Sequence, residues 1–288
     1  MSAEAFVLNL LNGLSYGMVL FLLASGLSIV LGLMGIWNLA HGALYMVAGY
    51  IGWTIAVHLG MNFWLAVLLG AIAAGLIGLG IERGFLRKLY RQVNEQVLLT
   101  FGFLYILTNL SLWVWTGRFR VPFTAPALAG SFIIGGITYP IVRFEIIIIG
   151  IIIASGLWWL QERTRIGAIV RAGMDDKEMT MGLGINLDRV SMFTFLLAAF
   201  IAGFAGVIGA QFLGVYSGLG LDMLLPALIV VIVGGMGTMQ GALFGAVLIG
   251  LIDAFGRALF PQLAMFTMYL LMIVILLVRP SGLVGRRI

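Results

Sequence analysis

The chain has 288 residues, 62% hydrophobic and only 9% charged, with a formal net charge of +5 and no cysteine. A soluble domain carries roughly 25% charged residues, so this composition excludes one, and the mean hydropathy of +1.15 agrees. Without cysteine there is no disulfide, thiolate metal site or cysteine nucleophile.

Apolar runs of about 20 residues, the thickness of a bilayer core, recur along the chain. They are continuous rather than alternating, which excludes a β-barrel and leaves helices as the structure that satisfies the backbone in lipid. The expected fold is all-α, a polytopic bundle of about eight or nine spans with broken or re-entrant helices. Met1-Ser2-Ala3-Glu4 lacks a basic leader, so it is not read as a cleaved signal.

The runs fall near 6–34, 41–60, 63–82, 97–116, 143–161, 190–213, 223–235, 238–256 and 262–279. Between the fourth and fifth, 121–141 holds Pro122, Pro126 and Pro140 and reads as an ordered loop or a re-entrant piece. The seventh run is too short to cross upright and reads as a half-helix or re-entrant turn.

Basic residues orient the chain. Arg83, Arg87, Lys88 and Arg91 share one loop; Arg163, Arg165, Arg171, Lys177 and Arg189 share another; Arg279, Arg286 and Arg287 end the chain. The positive-inside rule puts these groups in the cytoplasm and the positive charge in short loops, which argues for membrane orientation rather than nucleic-acid binding. The side on which the N-terminus lies stays open, because this signal starts only after the third run.

Two places interrupt the apolar pattern alike. His41-Gly42-Ala43-Leu44-Tyr45 follows Gly32-Leu33-Met34-Gly35, and Gln240-Gly241-Ala242-Leu243-Phe244 follows Gly234-Gly235-Met236-Gly237. Paired interrupted helices are a sequence pointer to a transport site, so Asn38, His41, Gly42, Tyr45, Gly234, Gly235, Gly237 and Thr238 are candidates for a solute path. Asn38 and His41 offer donors and acceptors to a solute. Asn38 equally suits the N-cap of a helix starting near Leu39, and His41 a packed position between helices. The second break lacks the Gly-Lys-Ser/Thr of a phosphate loop, so ATP hydrolysis is not expected here. Gly13/Gly17, Gly214/Gly218 and Gly237/Gly241/Gly245 recur at four-residue spacing, as on small-residue helix faces. Asp253, and Arg143 with Glu145, stand near span ends, where snorkelling or a local ion pair is expected.

The longest polar stretch, 162–189, holds a short helix opened by Asp175, Asp176 and Glu178. Asp175 is the expected cap, and Gly182 or Gly184 the left-handed stop. Met179, Met181, Leu183 and Ile185 give it an apolar surface, and the acidic start favours a protein groove over anionic lipid.

The sequence resembles the permease subunits of the branched-chain amino acid ABC transporter family. The resemblance rests on Leu11-Asn12-Gly13 with Tyr16-Gly17, Asn38-Leu39-Ala40-His41-Gly42 with Tyr45-Met46, and Arg171-Ala172 through Leu183-Gly184-Ile185-Asn186 with Asp188-Arg189-Val190. It continues in Gly234-Gly235-Met236-Gly237-Thr238, Gly241-Ala242 and Arg279-Pro280-Ser281-Gly282-Leu283-Val284-Gly285-Arg286. It implies a single permease domain over 1–288 in the bacterial inner membrane. The implied partners are a second permease subunit, two cytoplasmic ATPases that use the ATP, and a periplasmic binding protein. No cofactor is implied on this chain itself. Residues 171–189 resemble the loop that docks in an ATPase groove, so Asp175, Asp176, Glu178, Met179, Thr180, Met181, Leu183, Gly184 and Ile185 are the implied coupling residues. Thr180 and Met181 depart from the small residues usual there. Relatives of similar sequence import urea, short amides or aromatic acids.

Three rivals remain. A secondary transporter would need intramembrane carboxylates or cation sites, of which the spans are nearly free. A channel would need a filter, and no such sequence is evident. An intramembrane enzyme is disfavoured by two histidines only, His41 and His58, with neither His-Glu-x-x-His nor Gly-x-Ser-x-Gly.

Overall fold

The computed structural model describes residues 2–90, 92–134 and 136–284. Arg91, Arg286 and Arg287, counted above among the cytoplasmic cations, lie outside the described residues, as does Gly285 of the final motif.

The chain runs α1 (Ala3–Met34), α2 (Ala40–Trp53, extended by a wider turn over Thr54–His58), α3 (Phe63–Gly84) and α4 (Val93–Trp115). Then come a hairpin of β1 (Ser131–Ile134) and β2 (Ile137–Pro140), and α5 (Ile141–Arg163). Next are α6 (Arg165–Asp175), α7 (Lys177–Gly182), α8 (Leu187–Leu213), α9 (Leu219–Gly234), α10 (Met239–Leu259) and α11 (Ala264–Val278, entered through Pro261–Leu263). Every expected span is present. Among the described residues eight helices are long and apolar enough to cross a membrane, and the 16-residue α9 falls short, as its length required. The proline-rich 121–141 segment is ordered, with a short turn at Pro126–Leu128 and a two-stranded hairpin. Its hairpin pairs Ser131 with Pro140, and Arg120 bridges to Val215.

Contacts settle the side of the N-terminus. The Met34 carbonyl at the end of α1 accepts from Lys177 Nζ at 3.3 Å, so this end of α1 lies with the basic loops and Ala3 lies at the far end. The last carbonyls of α9 are bonded by Leu283 and Val284, which follow α11. The short α9 therefore also ends at the basic side, and counting it as a crossing restores an alternating topology.

The core is organised around α1, whose most apolar window is 89% buried, against 22% for α4 and α5 and 11% for the last helix. Because lipid is as apolar as leucine, helices associate through close packing rather than hydrophobic exclusion. Gly13 and Gly17 of α1 supply it: a methyl on Gly17 would lie 2.8 Å from the Ala246 carbonyl oxygen of α10. Gly241 and Gly245 of α10 meet Gly234 and Val230 of α9 in the same way. Two expected glycine pairings fail. Gly214 and Gly218 flank the α8–α9 turn, with Gly214 at φ +70°, and Gly237 sits in the break at φ +79°, outside α10. Turn formation there took the place of a helical face, and Gly237 meets Gly32 of α1 from the turn.

Candidate functional site

The two interruptions are adjacent in space. α1 stops at Gly35, in the left-handed region at φ +69°, with its N–H bonded to the Leu31 carbonyl at 2.9 Å. The break that follows is held by Thr100 Oγ1, which donates to the Trp37 carbonyl at 3.0 Å. α9 stops at Gly235 (φ +103°), and its Val233 and Gly234 carbonyls accept from the Leu283 and Val284 amides at 2.8 and 3.1 Å. Gly237 N–H donates to Ser28 Oγ on α1 at 3.1 Å, and its carbonyl accepts from Gln161 Nε2 of α5 at 3.3 Å. A methyl on Gly237 would come within 3.2 Å of the Gly32 Cα. The second break thus rests on the last turns of α1, and both motifs, His41-Gly42-Ala43 and Gln240-Gly241-Ala242, open the helix that leaves the break. Removing the Ser28 hydroxyl (Ser28→Ala) should orphan a buried N–H at a cost of about 1–3 kcal/mol. Thermal unfolding of the detergent-purified variant checks this; an unchanged midpoint would show that Gly237 is held otherwise.

A cavity of about 690 Å³ opens at the basic end, lined by Gly35, Trp37, Gln161, Arg171, Gly237 and Thr238 among others. A second, of about 800 Å³, opens at the far end between α1, α5, α9, α10 and α11. Of the eight candidate path residues only Gly237 and Thr238 line either cavity. His41 is fully buried, its Nε2 3.2 Å from the Leu23 carbonyl. Gly42 packs on Gly220, and the Tyr45 hydroxyl packs against Gly209. Gly234 meets Gly241, and Gly235 abuts Gly282. Asn38 is buried and does not cap: no side chain bonds the first turn of α2, and the Asn38 backbone carbonyl accepts from His41 N–H at 3.3 Å. His41, Gly42 and Tyr45 therefore hold α2 against α1, α9 and α8 in this conformation, while Gly234 and Gly235 hold the end of α9 against α10 and the segment after α11.

At the basic end the polar stretch forms a helix pair. Asp176, not Asp175, caps α7, accepting from the Met179 N–H at 2.9 Å; Asp175 closes α6. Gly184, at φ +81°, supplies the left-handed exit. Met179, Met181 and Leu183 are 68%, 50% and 73% exposed, whereas Thr180 is buried and donates to the Asp176 carbonyl at 2.6 Å. Thr180 thus leaves the exposed face, because a helix of this length turns one side to the bundle. α6 carries the pair onto the breaks: Met174 lies against both Gly32 and Gly237, and Gly173 against Leu33. Arg171 bridges to Glu162 at 3.5 Å.

The far-end cavity gathers Arg143, Asp222, Asp253 and Arg257. Asp253 pairs with Arg257 at 2.8 Å, as a local ion pair requires. Arg143 does not pair with Glu145; it donates to Asn12 and stacks 4.6 Å over Phe212. Tyr216, in the α8–α9 turn, donates to Asp222 at 2.6 Å, and burial, then that bond, push its phenol up to about 12. The sequence reading missed Met174, Ser28 and the far-end face of α1. The last had a legible signal, since Asn9, Asn12 and Tyr16 recur at three- and four-residue steps. Met174 had none, because its partners are distant in sequence.

Comparison with known proteins identifies the family. Residues 9–276 match the family model described as branched-chain amino acid transport system / permease component. The chain is 31% identical to the high-affinity branched-chain amino acid transport system permease protein BraD of Pseudomonas aeruginosa, covering 98% of this chain and 96% of that protein. It is 30% identical to the LivH permease protein of Salmonella typhimurium, over 98% and 96%, and 26% identical to the LivM permease protein of Escherichia coli, over 92% and 68%. In fold it is similar to a chain of the structure titled PsaBC from Streptococcus pneumoniae in complex with Fab, with a TM-score of 0.51 at 15% identity, over 95% of this chain and 91% of that one. This multi-pass membrane protein therefore belongs to the branched-chain amino acid transport system permease family.

Proposed function

We propose that the whole chain acts as one permease domain of an ATP-driven importer in the bacterial inner membrane. It passes branched-chain or related amino acids that a periplasmic binding protein delivers. A second permease subunit completes the path, and two cytoplasmic ATPases dock on α6 and α7 and hydrolyse the ATP. One observation carries the reading: the exposed apolar face of Met179, Met181 and Leu183 is joined, through Lys177 and Met174, to both helix interruptions. A short helix with no core of its own and an apolar face suits a partner groove, and movement of that groove would reach the breaks directly. The relatives are named as branched-chain amino acid transport permeases, which supports the solute.

The test is Met181→Asp combined with Leu183→Asp. Both side chains are exposed, so folding should be unchanged while co-purification of the ATPase and ATP-dependent leucine uptake are lost. Retained association and uptake would sink the docking role.

A further inference from the structure

The far-end cavity holds two arginines, Arg143 and Arg257, and two aspartates, Asp222 and Asp253, beside apolar Phe212 and Met223. Its fixed charges balance, so it offers no net field to an anion or a cation. α1 sets the spacing. Asn12 receives Arg143, and Tyr16, one turn along the same face, lines the cavity with Asp253 and Arg257. Side chains four apart on a helix stand about 5–6 Å apart, so Asn12 and Tyr16 face the cavity from adjacent turns of α1. Neither is saturated. Arg143 has five N–H donors, of which Asn12 takes one. Asp253 is 7% exposed; Arg257 bonds only Oδ2, and Oδ1 is buried without a hydrogen-bond partner among the described residues. Oδ1 has no open surface, so a ligand meets the carboxylate at Oδ2, which can accept a second donor beside Arg257.

We infer that this cavity is a zwitterion site, in which Arg143 takes the carboxylate and Asp253 the ammonium of an α-amino acid whose apolar side chain lies against Phe212. The inference rests on the importer reading above and sharpens it. Urea or a short amide would leave Arg143 without an anion, and an aromatic acid would leave the remaining acceptor position of the Asp253 carboxylate unused.

The test uses the purified chain in lipid nanodiscs and three probes of one shape: leucine, 4-methylpentanoate (no ammonium) and 3-methylbutylamine (no carboxylate). Leucine should bind about tenfold or more tightly than either analogue, the equivalent of about 1.4 kcal/mol per missing group. Arg143→Gln should lower leucine binding to the level of the amine and leave the amine unchanged. Asp253→Asn should lower it to the level of the acid and leave the acid unchanged. Arg143→Lys, which keeps the charge, should retain the preference for leucine over the amine. Equal binding of the three probes, or a parallel loss of all three in both variants, overturns the site. If leucine uptake by the reconstituted transporter persists in Arg143→Gln and Asp253→Asn at wild-type rates, the site falls and the importer reading stands. If the wild-type transporter takes up no leucine at all, the importer reading falls and this inference with it.

Discussion

Gly42→Ala should destabilise the assembled fold. The added methyl would overlap the Gly220 carbonyl oxygen and lie 2.8 Å from the Leu224 Cβ, so the first turn of α2 must back away from α9. Backbone cannot yield as a flexible side chain can, and overpacking of this kind costs about 1–3 kcal/mol, occasionally more. The displacement would also disturb His41, which is fully buried beside Gly26 on the same turn. Gly80→Ala is the control. Gly80 lies within α3, and a methyl there meets nothing within 4 Å. Alanine should be neutral or stabilise by about 0.5–1 kcal/mol, since glycine is the poorer helix residue. Size-exclusion recovery after graded heating compares the two. The expected outcome is a lower midpoint for Gly42→Ala and an equal or higher one for Gly80→Ala. A Gly42→Ala protein of wild-type stability that fails only in uptake would instead give Gly42 a role in the solute path.

The second large effect concerns transmission rather than docking. Met174→Ala should leave ATPase association intact and reduce uptake per ATP hydrolysed. The Met174 thioether lies against both Gly32 and Gly237, where the ends of α1 and α9 meet, and it is partly buried, away from the exposed Met179–Leu183 face. Truncation removes that contact without altering the docking surface. Residues that link two sites typically change coupling by about 0.5–2 kcal/mol, about a two- to thirtyfold fall in transport per ATP. Reconstituted proteoliposomes, with uptake and phosphate release measured together, read this ratio. An unchanged ratio would place the link elsewhere, with Lys177 and its bond to the Met34 carbonyl as the next candidate. Loss of association would assign Met174 to the docking face.

Much of the fold was legible from composition and period. Nine apolar runs became nine helices, because a bilayer imposes one length and one backbone solution on each, and the glycine-rich interruptions at 35 and 235 were readable because left-handed turns need glycine. The cap of α7 moved by one residue, from Asp175 to Asp176, since either carboxylate satisfies the local pattern and only the path of α6 chooses between them. The candidate path was the least legible part. Asn38, His41 and Tyr45 are polar residues in an apolar stretch, and sequence cannot tell a polar group facing a cavity from one buried between helices.

The sequence alone determined a membrane bundle with two interruptions and a basic side, since hydropathy, glycine and charge act locally. Only the tertiary structure decided that the interruptions meet, that α1 begins at the far end, and that Arg143 and Asp253 face one cavity. Each of these depends on which helices become neighbours. In lipid that choice comes from shape complementarity at glycines such as Gly17 and Gly250, whose partners lie far along the chain.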